Sequence, residues 1–235
     1  MIYQRIAQLS TPQYFAEHIR SLGIQLDFDD ELQPAPNSPL SRSYNFPTLN
    51  SRPSNRFCIL PMEGWDARTD GKPSELVIRR WERFGQSGAK LIWGGEATAV
   101  RPDGRANPNQ LIINGSNLSA VAKLRETLVR AHATRWNTDD LLIGLQLTHS
   151  GRFCRPNDKK RMEPHILYVH PLLNKKSGLP DDYPIMTDEE IERLIEDYVA
   201  AAKLAQKAGF HFVDVKHCHG YLGHEFLSAV DRKGK

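Results

Sequence analysis

The sequence predicts an α/β protein built from parallel β/α units, arranged as about half of a (β/α)8 barrel. Short apolar runs alternate with segments of helical periodicity, which is typical of parallel strands whose two faces are both buried. Four such runs occur in the 235 residues. A complete barrel of this class has eight strands, and an open four-stranded parallel sheet would leave two edges unpaired. We therefore expect only the first four units of such a barrel, preceded by an extension.

Composition narrows the class of protein. The chain is 40% hydrophobic and 25% charged with a net charge of +3, which suits a globular domain and indicates neither nucleic-acid binding nor a membrane span. Its three cysteines are far apart and form no CxxC motif, so neither a disulfide framework nor a zinc site is indicated. We expect a cytoplasmic protein without a signal peptide that acts on a small molecule.

The N-terminal extension is predicted to cover residues 1–54, and the barrel half residues 55–235. Thr11, followed by a proline, is a typical helix N-cap, and it predicts a short helix that ends near Ser21. Residues 33–55 are rich in Pro, Ser and Asn and are predicted to be mostly irregular.

The β/α units follow one another from residue 57 onward. Ser74 and Ser119 are predicted to open the first two helices. Thr187 and Glu190 form a capping box before the third helix, whose apolar stripe ends at Gly209. The predicted strands are residues 57–60, 91–93, 141–147 and 210–215.

Polar residues or glycines follow the same end of every predicted strand. Because the carboxyl ends of parallel strands meet at one edge of the sheet, this convergence predicts the active site there. The residues concerned are Glu63 and Gly64, Gly94 to Thr98, Gln146 to Arg152, and Lys216 to Tyr221.

The motif His217-Cys218-His219 has three interpretations that the pattern alone leaves open. Alternating histidines at a strand end can bind a metal, together with His149 or His224. Histidine, lysine and tyrosine side chains there can instead hydrogen-bond a substrate carbonyl or oxyanion. Some of these histidines can also be purely structural.

Four motifs, in order along the chain, are similar to those of the old yellow enzyme (NADH:flavin oxidoreductase) family. The run from Asp214 to Leu222, followed by Glu-Phe-Leu-Ser at 225–228, resembles the family's fourth-strand signature. The run from Gly144 to Arg152 resembles its third-strand motif. The segments Asn55-Arg56-Phe57 with Pro61-Met62, and Gly88 to Val100, resemble its first and second strands.

This resemblance implies a TIM barrel that binds FMN, is reduced by NADH or NADPH, and passes hydride to an activated alkene or similar acceptor. It implies that Gln146 contacts the flavin pyrimidine edge and that Ala97, Pro61 and Met62 lie beside the ring. It also implies that His219 anchors the substrate and that Tyr221 protonates it. The FMN phosphate is expected on the last strands of the barrel, which the printed sequence does not include.

Two residues depart from the family pattern. Lys216 occupies the position of the first substrate-anchoring histidine, which favours an anionic substrate or a contact with the flavin. Glu63 or Gly64 occupies the position of a Thr or Cys near the flavin carbonyl, and a carboxylate there would lower the redox potential. We hypothesise that Lys216 and Glu63 pair with each other across neighbouring barrel mouths.

Two other functions remain as alternatives. A metal-dependent hydrolase would use His217, His219 and His149 as ligands. A non-catalytic half barrel would be stable only when paired with another half barrel, and a homo-oligomer is one possible assembly. The basic loop 152–176 is interpreted as a solvated loop in preference to a site for anions.

Overall fold

The computed structural model describes residues 4–47 and 51–234. Contacts divide the chain into two compact units, Met1–Arg42 and Ser43–Lys235. The second unit therefore starts at residue 43, whereas the sequence placed the start of the barrel half at residue 55. Within the described residues, no helix combines the length and the apolar character that crossing a bilayer requires.

The first unit contains the predicted N-terminal helix, α1 (Pro12–Ser21). The Thr11 side chain accepts a hydrogen bond from the backbone N–H of Tyr14 at 3.2 Å, which confirms the predicted N-cap. Short 3₁₀ turns occur at Ile6–Gln8 and Pro39–Ser41. Of the segment predicted to be irregular, residues 48–50 lie outside the described residues.

The second unit is a parallel β-sheet with helices between its strands. The strands are β1 (Cys58–Ile59), β2 (Leu91–Ile92), β3 (Ala97–Ala99), β4 (Leu142–Thr148) and β5 (Phe212–Val215). Their order in the sheet is β1–β2–β4–β5, and β3 pairs with β4, as β2 does. The five strands therefore occupy four positions, which follow chain order. The helices are α2 (Glu75–Gln86), α3 (Leu118–Ala133), α4 (Pro171–Ser177), α5 (Asp188–Lys207) and α6 (Leu222–Ser228).

A glycine bulge separates β2 from β3. Residues 93–96 lie opposite only residues 144–145 of β4, because Ile92 pairs with Ile143 and Ala97 pairs with Gln146. Gly94 and Gly95 allow this excursion with φ angles of +85° and +50°. Ala97, which the sequence placed after the second strand, therefore lies within a resumed part of that strand.

The helix boundaries confirm two predicted starts and correct a third. Ser74 caps α2, and the capping box of α5 is complete, with the Thr187 N–H donating to Glu190 Oε2 at 2.7 Å. The predicted start of α3 at Ser119 is wrong, because the N-cap position is Asn117. Its buried side chain instead ties the preceding loops together by donating to the carbonyls of Asp70 and Ile112.

The core lies between the sheet and its helices. All seven residues of β4 are buried, which explains why its sequence is a continuous apolar run and not an alternating one. Trp81 of α2 is fully buried and packs edge-to-face on Phe210. The core cluster also includes Ile92, Leu124, Leu128, Ile143, Leu145, Leu147, Leu194 and Ala205.

Candidate active site

An ion pair links the carboxyl ends of the two outermost strands. The Lys216 Nζ lies 2.5 Å from Glu63 Oε1, so the predicted pairing of these charges is confirmed. The two strands are not adjacent in the sheet, because β2/β3 and β4 lie between β1 and β5. Three strand spacings correspond to roughly 14 Å along a sheet. Two long side chains therefore bridge the mouth.

Tyr221 completes this arrangement. Its hydroxyl donates to Glu63 Oε2 at 2.9 Å, and the Lys216 ammonium lies 4.4 Å from the centre of its ring. Burial first, and then the negative charge of Glu63, raise the pKa of Tyr221 well above its usual range. The hydroxyl therefore carries its proton at neutral pH and directs it at a carboxylate.

His219 faces solvent, in contrast to Lys216. Its side chain is 62% exposed, whereas that of Lys216 is 2% exposed. Its Nδ1 lies 3.9 Å from Glu63 Oε2. His219 has a positive φ of 62°, a left-handed conformation that non-glycine residues adopt uncommonly and that is enriched at functional sites. The backbone thus presents one imidazole at the mouth.

Gln146 lies at the centre of the same end of the sheet. It is the register partner of Ala97 on one side and of Asp214 on the other. The Gln146 Nε2 donates to Asp214 Oδ2 at 2.6 Å. The sequence interpretation used Asp214 only as part of a motif, although it lies two residues before Lys216 and therefore on the same face of β5.

Pro61, Met62 and Gly64 lie beside this row. The Met62 N–H donates to the Gly95 carbonyl at 3.1 Å, and its carbonyl accepts from Ala97 N at 2.9 Å. Met62 remains 48% exposed. The predicted cofactor-binding residues are therefore together at one end of the sheet, with an accessible apolar side chain among them.

A partly buried charge network that sequence reasoning missed lies behind the Glu63 loop. Arg80 donates to both oxygens of Asp66, at 2.8 and 2.7 Å, and to Glu96 Oε2 at 2.9 Å. The hydrogen bonds from Arg80 lower the pKa of Asp66. Burial raises the pKa of Glu96, and this effect outweighs the opposing effect of the Arg80 guanidinium. Glu96 also accepts from the Gly64 N–H at 3.3 Å, and so holds the residue next to Glu63.

The histidines of the metal-dependent alternative do not form a ligand set. His149 is buried and packs on His165, with ring centroids 5.4 Å apart, and burial lowers its pKa to about 3. His217 is exposed, and its Nδ1 lies 2.8 Å from the Val215 carbonyl. Among residues 4–47 and 51–234, no group of three His, Cys, Asp or Glu side chains is placed to hold a metal ion.

The basic loop after β4 contains one structural arginine and a short helix, α4. Arg152 is 1% exposed, pairs with Glu225, and donates to Asn174 Oδ1 at 2.5 Å and to the Tyr168 carbonyl at 3.0 Å. Arg152 therefore holds the loop against α6 and is not available to an anion from solvent.

Comparisons with known proteins agree with this arrangement. Residues 50–233 match the NADH:flavin oxidoreductase / NADH oxidase family. An NADPH dehydrogenase of Halalkalibacterium halodurans is 33% identical over 182 residues, which cover 76% of this chain and 48% of that protein. An NADPH dehydrogenase of Bacillus subtilis (strain 168) is 30% identical over 181 residues, which cover 75% and 48%. The chain therefore spans about half the length of the curated relatives it matches.

Solved structures give the same picture of the fold. Old Yellow Enzyme from Pichia sp. AKU4542 superposes with a TM-score of 0.66 at 25% identity, covering 85% of this chain and 51% of that one. An old yellow enzyme homologue from Zymomonas mobilis superposes with a TM-score of 0.60 at 26% identity, covering 78% and 49%. The predicted fold class, a partial (β/α)8 barrel, is confirmed.

Proposed function

Because this chain belongs to the NADH:flavin oxidoreductase / NADH oxidase family, we propose that it contributes half of the active site of an FMN-dependent oxidoreductase. The predicted membership of the old yellow enzyme family is thereby confirmed. The observation that carries the proposal is the meeting of Gln146, Lys216, His219 and Tyr221 at one end of the sheet. NADPH is the favoured reductant, since the two relatives described above are named NADPH dehydrogenases.

The residues present fit a flavin ring. The Gln146 carboxamide can both donate and accept; one N–H is held by Asp214, and its oxygen has no partner among the described residues, so it can accept from the pyrimidine N–H. Met62 and the partly exposed Pro61 offer an apolar surface to one side of the ring, whereas Ala97 is buried. Lys216 neutralises Glu63, which offsets the decrease in redox potential expected from a lone carboxylate.

The chemistry divides between cofactor and chain. FMN, when bound, would accept hydride from the nicotinamide and pass it to the substrate. His219 would hold the substrate carbonyl through its exposed imidazole. Tyr221 would supply a proton to the substrate carbon, which requires its hydroxyl to turn away from Glu63.

The acceptor is proposed to be a neutral, activated alkene and not an anion. Lys216 suggested an anionic substrate when only the sequence was considered. In the structure its ammonium is buried and already paired with Glu63. His219 alone then anchors the polar end of the substrate, and one imidazole suffices for a carbonyl oxygen.

The first test is a visible absorption spectrum of the purified chain after addition of FMN and gel filtration. Retained absorbance at about 450 nm that NADPH bleaches in the absence of oxygen would support the proposal. Gln146→Leu should retain less flavin than Lys159→Gln, a matched change at an exposed residue of the loop after β4. A chain that retains no flavin would refute the proposal, and stoichiometric zinc in that chain would favour the metal-dependent alternative.

Three further expectations accompany this proposal. Molar mass in solution tests the alternative of a half barrel paired with a second copy, because that assembly would have twice the chain mass of 26.7 kDa.

A cytoplasmic location stays a prediction from the cysteine pattern. Discrimination between NADPH and NADH is measured from the two rates of flavin reduction.

A further inference from the structure

We infer that Asp214 is a positioning residue that determines which way the carboxamide of Gln146 faces. The inference rests on the proposed function, in which Gln146 contacts the flavin. It adds a role for a residue on β5 that touches neither the substrate anchors nor the ion pair of Glu63 and Lys216.

The sheet register places the two side chains side by side. Gln146 and Asp214 are direct partners in the parallel ladder between β4 and β5, so their side chains leave the same face at the same level. The distance between Gln146 Nε2 and Asp214 Oδ2 is 2.6 Å, at the short end for a hydrogen bond to a charged acceptor. Gln146 is 7% exposed, so water does not readily replace this partner.

The other side of Gln146 is closed by the glycine bulge. A Cβ placed on Gly94 would lie 2.8 Å from Gln146 Cβ and 2.9 Å from its backbone nitrogen. The Gln146 N–H donates to the Gly94 carbonyl at 3.3 Å. The base of the side chain is therefore confined, and the main freedom left is rotation of its terminal amide.

Asp214 removes that freedom because a carboxylate offers only hydrogen-bond acceptors. With the amide turned over, Gln146 Oε1 would face the carboxylate oxygen at the same short distance, two acceptors in contact. The nitrogen is thus held toward β5 and the oxygen is directed to the opposite side. A pyrimidine edge that approaches Gln146 consequently meets an acceptor suited to its N–H group.

The test compares Asp214→Asn with Asp214→Glu and uses Asp181→Asn, at an exposed loop position, as the control. Asparagine keeps the shape but can both donate and accept, so either orientation of Gln146 becomes possible. The first readout is the side-chain amide NMR signal of Gln146 in the ligand-free, ¹⁵N-labelled chain, assigned by its loss in Gln146→Met. The second readout is FMN affinity, measured from the quenching of flavin fluorescence.

The inference predicts a downfield-shifted Gln146 amide proton in the wild type that returns to its ordinary position in Asp214→Asn. It also predicts that FMN binding weakens about fivefold in Asp214→Asn, the loss of one hydrogen bond of average strength, and recovers in part in Asp214→Glu. An unchanged signal, or a changed signal with unchanged FMN affinity, would overturn it. If the wild type binds no FMN, the proposed function fails for this chain, and the NMR signal alone then decides whether Asp214 orients Gln146.

Discussion

The Glu63–Lys216 pair offers the sharpest test of how this site is held together. Glu63→Gln keeps the shape of the side chain but leaves Lys216, whose side chain is 2% exposed, without a counter-ion. Removing one partner of a buried ion pair costs about 3–5 kcal/mol. Because the Glu63 side chain is 15% exposed and glutamine retains an oxygen that can accept from Lys216, we expect about 2–3 kcal/mol.

The opposite change should cost less. Lys216→Met leaves Glu63 with the Tyr221 hydroxyl as a donor and with partial access to water, so about 1–2 kcal/mol is expected. In the double variant neither an unpaired ammonium nor an unpaired carboxylate remains. Its loss of stability should therefore be smaller than the sum of the single losses by at least about 1 kcal/mol.

Urea unfolding followed by tryptophan fluorescence measures these differences. With an m value of about 2 kcal/mol/M, Glu63→Gln should lower the midpoint by about 1 M. The control is Glu189→Gln, which removes an exposed helix pair with Arg193 and should leave the midpoint unchanged. Two results would show that the two charges do not stabilise the fold through each other. One is a midpoint of the single variants equal to that of the control, and the other is a double variant whose loss of stability equals the sum of the single losses.

Three further predictions concern the scaffold. Gly94→Ala should destabilise the protein by about 1–3 kcal/mol and weaken FMN binding, because a Cβ at a φ of +85° would press on Gln146. The control is Gly115→Ala, whose added Cβ would have no atom within 4 Å, and equal unfolding midpoints for the two variants would contradict this account. Burial lowers the pKa of His149 to about 3 in the folded state, so the unfolded chain binds a proton first and stability should fall as pH drops below about 6.5, by about 2 kcal/mol at pH 5. His149→Gln should flatten this pH dependence of the free energy of unfolding, and an unchanged slope would refute the account. Thr187→Ala should cost about 1 kcal/mol by removing half of the α5 capping box, and a midpoint equal to the wild type would contradict the cap.

Local signals in the sequence predicted the order of the elements. Three helix starts were predicted from a capping residue: Thr11, Ser74 and Thr187. Such a cap can be recognised locally, because its side-chain oxygen accepts a hydrogen bond from an unpaired backbone N–H within the first turn of the helix. Ser119 failed as such a marker because the N-cap position is Asn117, whose side chain donates to the carbonyls of Asp70 in a distant loop and of the nearby Ile112. The resumed strand β3 was missed because the glycines before it look like a turn.

The sequence by itself determined the parallel α/β class, the four strand positions and the end of the sheet that carries the polar residues. These follow from apolar periodicity and from the rule that parallel strands place their carboxyl ends together. Motif resemblance then supplied the family, which the comparisons confirm.

The tertiary structure decided how the polar residues interact. The Glu63–Lys216 pair, 153 residues apart, was a hypothesis drawn from the motif resemblance until the structure showed the contact. Gln146 and Asp214 are 68 residues apart, and no local pattern links them. Their pairing depends on the strand register, on the glycine bulge and on burial. The same burial turned Lys216 from a candidate for binding anions into one half of a closed ion pair, and it left His219 as the exposed imidazole of the site.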